Sequence, residues 1–192
     1  KKTSISLQIV GGLIFLGILV NIEQLYLLLP KQYSGGIFVV FTIGLSRYFD
    51  LILGNNNAII FNSKYYKAVL FLGVLLICLT IGLNMIFIPL YGLKGTAFAT
   101  LLSITLYSLS KLLFVVFKMK LFPFTVNTLK SFGILIATFG LFYFWDFNFH
   151  PIVNIVLKSI LITVFYLSAN YYLKLSTDVN TVMDTILNKF RK

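Results

Sequence analysis

An all-α membrane protein of about six transmembrane helices is what this sequence predicts, and three observations carry the prediction. Of 192 residues, 59% are hydrophobic and only 11% charged, whereas a soluble domain covers its surface with about a quarter charged residues. The apolar residues fall into runs of about twenty, enough at 1.5 Å per residue to cross a hydrocarbon core of about 30 Å. The cations gather in the junctions between those runs.

In chain order, the first span runs from about Ser4 to Leu29 and stops at Pro30, with Lys31, Gln32, Tyr33 and Gly35-Gly36 as a turn. The second runs from about Ile37 to Phe61 and ends in Asn62-Ser63-Lys64. The third covers about Ala68 to Ile88, where Pro89 and Gly92 break it. The fourth runs from about Lys94 to Phe117, closed by Lys118, Lys120 and Pro123; the fifth takes Leu129 to Phe144, ending at Trp145-Asp146. After His150-Pro151 the sixth goes from Ile152 to Leu173. Beyond it, Thr177 and Asp178 suit a cap and first turn, and Val179, Val182, Met183, Ile186, Leu187 and Phe190 form one apolar stripe. That stripe predicts a short amphipathic helix lying in the inner headgroup layer. Lys1 and Lys2 before an apolar stretch imitate a signal peptide, but the stretch is too long and lacks a small-residue cleavage site, so it reads as a true span.

Alternating loops test this segmentation. One side collects Lys1, Lys2, Lys64, Lys67, Lys118, Lys120, Lys130, Lys174, Lys189, Arg191 and Lys192, and the other only Lys31 and Lys94. By the positive-inside rule both termini are cytoplasmic. The same placement explains the net charge of +11 without nucleic acid as a partner. Cys78, the only cysteine, sits inside an apolar run, so no disulfide framework or thiolate metal site is available. His150, the only histidine, has no partner at ligand spacing and reads as a loop residue. With no nucleophile triad, carboxylate pair or glycine-rich phosphate loop, the sequence points away from enzyme chemistry and calls for no cofactor.

Polar groups at bilayer depth are the informative positions, since Arg, Lys or Asp near a helix centre costs roughly 2.5 to 3.5 kcal/mol on insertion scales. Arg47 lies about eleven residues into the second span, about 16 Å deep, and Asp50 follows three residues later on the same face. Arg47 is the candidate for attracting an anionic substrate into a central cavity, because guanidinium holds phosphate oxygens through paired hydrogen bonds. The competing reading is an Arg47–Asp50 ion pair that only packs helices. Glu23, in the outer part of the first span beside Asn21, is a candidate for a coupling proton or cation, or else reaches the outer interface. Lys111 and Lys158 are expected to snorkel to the inner and outer headgroups. Asp146 is explained by interfacial placement, and Tyr143, Phe144, Trp145, Phe147 and Phe149 by an aromatic belt.

The start of the fourth span carries a motif: Asn84, Pro89, then Gly92-Leu93-Lys94-Gly95-Thr96-Ala97-Phe98-Ala99-Thr100. Gly92, Gly95, Thr96, Ala99 and Thr100 make a small-residue face that lets another helix approach closely. The motif resembles the C-terminal domain of the polysaccharide biosynthesis flippases, the Wzx-type transporters of the superfamily that also holds multidrug and toxic-compound (MATE-like) exporters. Leu29-Pro30-Lys31-Gln32-Tyr33-Ser34-Gly35-Gly36 and Ile60-Phe61-Asn62-Ser63-Lys64 resemble the same family's junctions, so the likeness covers about residues 5–122.

The resemblance implies a four-helix domain over 1–122 and an additional helix pair over 123–175, which leaves the interfacial helix or tail at 176–192. It implies export of a lipid-linked oligosaccharide, on an undecaprenyl-type pyrophosphate carrier, for O-antigen or lipopolysaccharide synthesis at a bacterial inner membrane. It also implies that the chain, which begins with Lys, corresponds to the C-terminal part of a longer transporter completed by further N-terminal helices. Arg47 is the matching cationic side chain, and Asp50 beside it departs from a purely cationic lining. A drug exporter of the same superfamily and a non-transporting membrane assembly subunit are the alternatives.

Overall fold

The computed structural model describes residues 2–53, 59–120, 122, 124–147 and 149–190, and these are helical with short turns and no strand among them. Helix α1 is Lys2–Leu27, followed by a 3-10 turn at Lys31–Gly36 and helix α2, Ile37–Leu53. Helix α3 is Lys67–Met119, α4 is Val126–Tyr143, α5 is Pro151–Tyr172 and α6 is Thr177–Phe190. Four of them, α1, α3, α4 and α5, are long and apolar enough to cross a membrane. The chain is a helical membrane protein. Of the basic residues in the loop comparison, Lys1, Arg191 and Lys192 lie outside the described residues.

Helix α2 covers Ile37–Leu53 of the run expected over Ile37 to Phe61. Residues 54–58 lie outside those described, and 59–61 are helical before the turn at Asn62-Ser63-Lys64.

Helix α3 has 53 residues and would be about 80 Å long if straight, more than twice the hydrocarbon thickness. It is instead broken at Gly92, whose φ of 55° and ψ of −130° are open to glycine and strained for any other residue. Pro89 stays inside the helix, so the break belongs to Gly92 alone. The arms 67–91 and 93–119 fold back on each other. Leu72 and Val115 share one buried cluster with Ile60, and the Phe87 and Phe98 rings stack at 6.4 Å. The third and fourth spans of the sequence reading are these two antiparallel arms.

Contacts divide the chain into two compact units, Lys1–Ser34 with Phe124–Lys192, and Gly35–Pro123. This grouping cuts across the sequence division at 122, because the first span packs with the fifth and sixth. In that first unit Gln8 donates to the Thr128 carbonyl at 3.0 Å near one end, and Asn21 donates to Ser159 at 3.1 Å nearer the other. Helix α1 is therefore parallel to α4 and antiparallel to α5. Gly12 makes their close approach feasible: a Cβ there would lie 2.5 Å from the Tyr166 hydroxyl and 2.9 Å from Leu135.

The core of the unit mixes apolar side chains, Ile9, Leu16 and Leu135 among them, with buried polar ones, and α5 in particular turns its polar side inward. The buried stripe of α5 is Asn154, Lys158, Ile162, Tyr166 and Asn170, while Ile152, Val156, Ile160 and Val164 are exposed. Water would favour the opposite arrangement, whereas lipid solvates the apolar face and leaves polar side chains to find partners within the protein. Many find them one turn back on their own helix: Thr138 on Ile134, Ser103 on Ala99, Thr163 on Ser159 and Asn170 on Tyr166.

Lys158 does not snorkel. It is 2% exposed and its Nζ donates to Asp146 at 2.6 Å, which is what Asp146 is for at the end of α4. The Lys158 ammonium holds the Asp146 carboxyl below its ordinary range. A depressed carboxyl pKa contributes stability above the unfolded value of about 3.9 that is lost as pH falls through the folded value. Thermal unfolding in detergent should therefore be insensitive to this pair near neutrality and weaken below about pH 4. Asp146→Asn should remove that component and cost roughly 1 to 2 kcal/mol at pH 7, less than a fully buried pair because Asp146 is half exposed. An acid limb unchanged in Asp146→Asn would show that the pair contributes nothing.

His150 caps α5, accepting from the Ile152 backbone N–H at 3.4 Å, and Thr125 caps α4 through a reciprocal pairing with Thr128. The belt aromatics form a ladder, with Trp145 5.8 Å from Phe147 and Phe147 6.4 Å from Phe149. Helix α6 starts one residue earlier than its expected cap: Ser176 accepts from Val179, and Ser6 on α1 bonds both Ser176 at 2.9 Å and Asp178 at 2.8 Å. In the apolar stripe of α6, the side chains of Ile186, Leu187 and Phe190 lie outside those described.

Candidate functional site: a charged cleft between α2 and the α3 hairpin

Three helical faces converge within the unit Gly35–Pro123. Arg47 and Asp50 come from α2, Leu76 and Thr80 from the first arm of α3, and Thr100, Ile104 and Tyr107 from the second. Their spacings of three and four place each set on one face of its helix. Together they line a cavity of about 230 Å³. The hairpin holds the two arms close enough to form it because Gly95 packs its bare Cα against the backbone of Phe87 and Ile88, and Ala97 and Ala99 are fully buried.

The small-residue motif thus divides its labour. Gly95 and Ala99 pack, half-buried Thr96 offers its carbonyl to Thr100 at 2.8 Å, and Gly92 makes the turn, with nothing near the position of its missing Cβ.

The sequence pattern left Arg47 and Asp50 as potential mutual partners. Asp50 pairs with Lys111 instead, Nζ to Oδ1 at 3.2 Å, and Ser108 donates to the same oxygen at 3.3 Å. Lys111 is 1% exposed, so the expected snorkelling is replaced by burial against Asp50 and the Tyr107 ring, whose centroid lies 4.1 Å from Nζ. A buried ammonium in a low-dielectric interior requires such partners. Arg47 is exposed to the cleft and has neither hydrogen bond nor ion pair among the described residues. Two cations against one carboxylate leave the cleft with a net positive charge, and the uncompensated one is Arg47.

Spacing alone held part of this site. Thr100, Ile104, Tyr107 and Lys111 follow one helical stripe, so Lys111 belongs on the same face as the Thr100 end of the motif. Thr80, Tyr107 and Ser108 carried no sequence signal, because hydroxyls and aromatics in an apolar span read equally well as packing residues.

Glu23 belongs to the other unit. It is exposed and accepts from the Tyr143 hydroxyl at 3.0 Å, next to Gln24, which donates to Asp146 at 3.3 Å. Among the described residues no group of three or more His, Cys, Asp or Glu side chains is placed to hold a metal ion. No known protein family, curated protein or solved structure matches the chain.

Proposed function

We propose that this protein moves a lipid-linked oligosaccharide across a bacterial inner membrane for cell-surface polysaccharide synthesis, as part of a flippase of the MATE-like superfamily. The observation that carries the reading is Arg47: an exposed guanidinium on the wall of a cleft, with no hydrogen bond or ion pair among the described residues. At bilayer depth such a group without a partner is expensive, and a pyrophosphate headgroup is a ligand that offsets the expense, because its oxygens match the planar donor fork. The cleft walls add hydroxyls, from Thr80, Thr100 and Tyr107, of the kind that hydrogen-bond phosphate and sugar.

In this reading both arms of α3 and α2 each count as a crossing beside α1, α4 and α5, making six, with both termini on the cation-rich, cytoplasmic side and α6 in the inner headgroup layer. In this reading the cleft is one wall of a central pathway, and further N-terminal helices supply the other.

Asp50 favours a second reading, export of small cationic compounds, since a carboxylate at depth attracts cations. Deleting the protein from its cell distinguishes the two. The flippase reading expects lipid-linked oligosaccharide to accumulate on the cytoplasmic leaflet and surface polysaccharide to be lost. Normal surface polysaccharide with new sensitivity to ethidium would overturn it in favour of drug export.

A further inference from the structure

The two ion pairs of the described structure differ in kind. Lys158 meets Asp146 at 2.6 Å, a short contact even for a charge-assisted bond. Lys111 meets Asp50 at 3.2 Å, and the only other donor to that carboxylate among the described residues, Ser108, is at 3.3 Å. Both bonds fall on Oδ1, while Oδ2 accepts none among the described residues. Asp50 is also 39% exposed on the cleft wall, whereas Lys111 behind it is 1% exposed. A carboxylate held by two long bonds, open to the cleft and one helical turn from the unpaired Arg47, is the weakest link in the polar cluster.

We propose that Asp50 is an internal counter-anion that an incoming polyphosphate displaces, so that Lys111 becomes the second cation of the binding site beside Arg47. This rests on the reading of the cleft as a pyrophosphate site. A pyrophosphate carries more negative charge than one carboxylate and takes up Arg47 and Lys111 together; Asp50 turns from the ammonium toward the cleft as it enters. When the ligand leaves, Asp50 closes back on Lys111 and neutralises it. Asp50 is thereby a release device. Without it the buried ammonium is never neutralised from within, and the site holds its anion too firmly to turn over.

Binding of inorganic pyrophosphate to the purified protein in phosphatidylcholine nanodiscs tests this directly. Asp50→Asn keeps shape and the Ser108 contact but removes the competing charge, and should tighten binding by at least about tenfold. Lys111→Met in the Asp50→Asn background should abolish the gain. Ser108→Ala, which only loosens Asp50 and leaves the ion pair to hold the fold, should tighten binding by about two- to threefold.

Pyrophosphate affinity that is unchanged or weaker in both Asp50→Asn and Ser108→Ala, while Arg47→Ala still weakens it, overturns the counter-anion role and leaves the pyrophosphate site standing. Binding unaffected by Arg47→Ala removes the site itself. Replacing half the phosphatidylcholine with phosphatidylglycerol should leave pyrophosphate binding intact; full competition would assign the cations to bulk lipid headgroups and overturn the proposal.

Discussion

Gly95→Val should split the α3 hairpin. A Cβ at this position would run into the Phe87 carbonyl oxygen and lie 2.6 Å from the Phe87 carbonyl carbon and 3.2 Å from the Ile88 nitrogen. These are backbone atoms of the opposing arm, so no side-chain rotation relieves the clash; one arm has to move. Overpacking of this kind costs upward of about 3 kcal/mol, and close approach at small residues is what drives helix association where lipid removes the hydrophobic incentive. Because Leu76 and Thr80 lie on one arm and Thr100, Ile104 and Tyr107 on the other, the cleft opens with the hairpin.

A cysteine pair at Leu72 and Val115, introduced with Cys78→Ser, reports the arm contact, since both residues sit in one buried cluster. Oxidative cross-linking should be efficient in the parent and lost in Gly95→Val. Gly82→Ala is the control. Nothing lies within 4 Å of a Cβ there, so it should be neutral or stabilise by up to about 1 kcal/mol through helix propensity. Equal cross-linking in Gly95→Val and Gly82→Ala would mean that the arms do not meet at Gly95.

Arg47→Ala should nearly abolish translocation while leaving insertion and thermal stability close to the parent values. Arg47 is exposed and unpaired among the described residues, so its removal strands no buried partner and leaves no internal cavity. Losing two charge-assisted hydrogen bonds to a phosphate group should weaken binding by about 2 to 4 kcal/mol, or about 30- to 1000-fold. Arg47→Lys should recover only part of this, because an ammonium keeps the charge but not the paired donor geometry. Leaflet distribution of the lipid-linked oligosaccharide and inorganic pyrophosphate binding are the two readouts. If Arg47→Ala transports normally, Arg47 is no more than a surface cation of α2.

The contrast between Arg47 and Lys111 shows where sequence reading reached its limit. Both were visible as expensive cations in apolar spans, and insertion energetics alone required each to have a reason. For Lys111 the inferred reason was a long side chain reaching the headgroups. Burial against Asp50, 61 residues away in the chain, is the reason the fold supplies. Lys158 repeats the lesson with Asp146. Snorkelling and internal pairing satisfy an ammonium equally well in principle, and only the packing of neighbouring helices decides which partner is nearer. The amphipathic helix was legible because its stripe repeats at 3.6 residues, but its anchoring to Ser6 on α1 was not.

What the sequence determined by itself was the solvent and the segmentation: runs long enough to cross lipid, cations in the junctions, and small residues at Gly92 and Gly95 where a chain must turn and two helices must touch. Those properties are local, set by the transfer free energy and backbone freedom of neighbouring residues. The tertiary structure decided which span packs against which, that Asp50 faces Lys111 while Arg47 has no partner among the described residues, and that three separate helical faces enclose one cleft. Those depend on the rotation of each helix about its axis, and that rotation is fixed by steric fit between residues far apart in the chain.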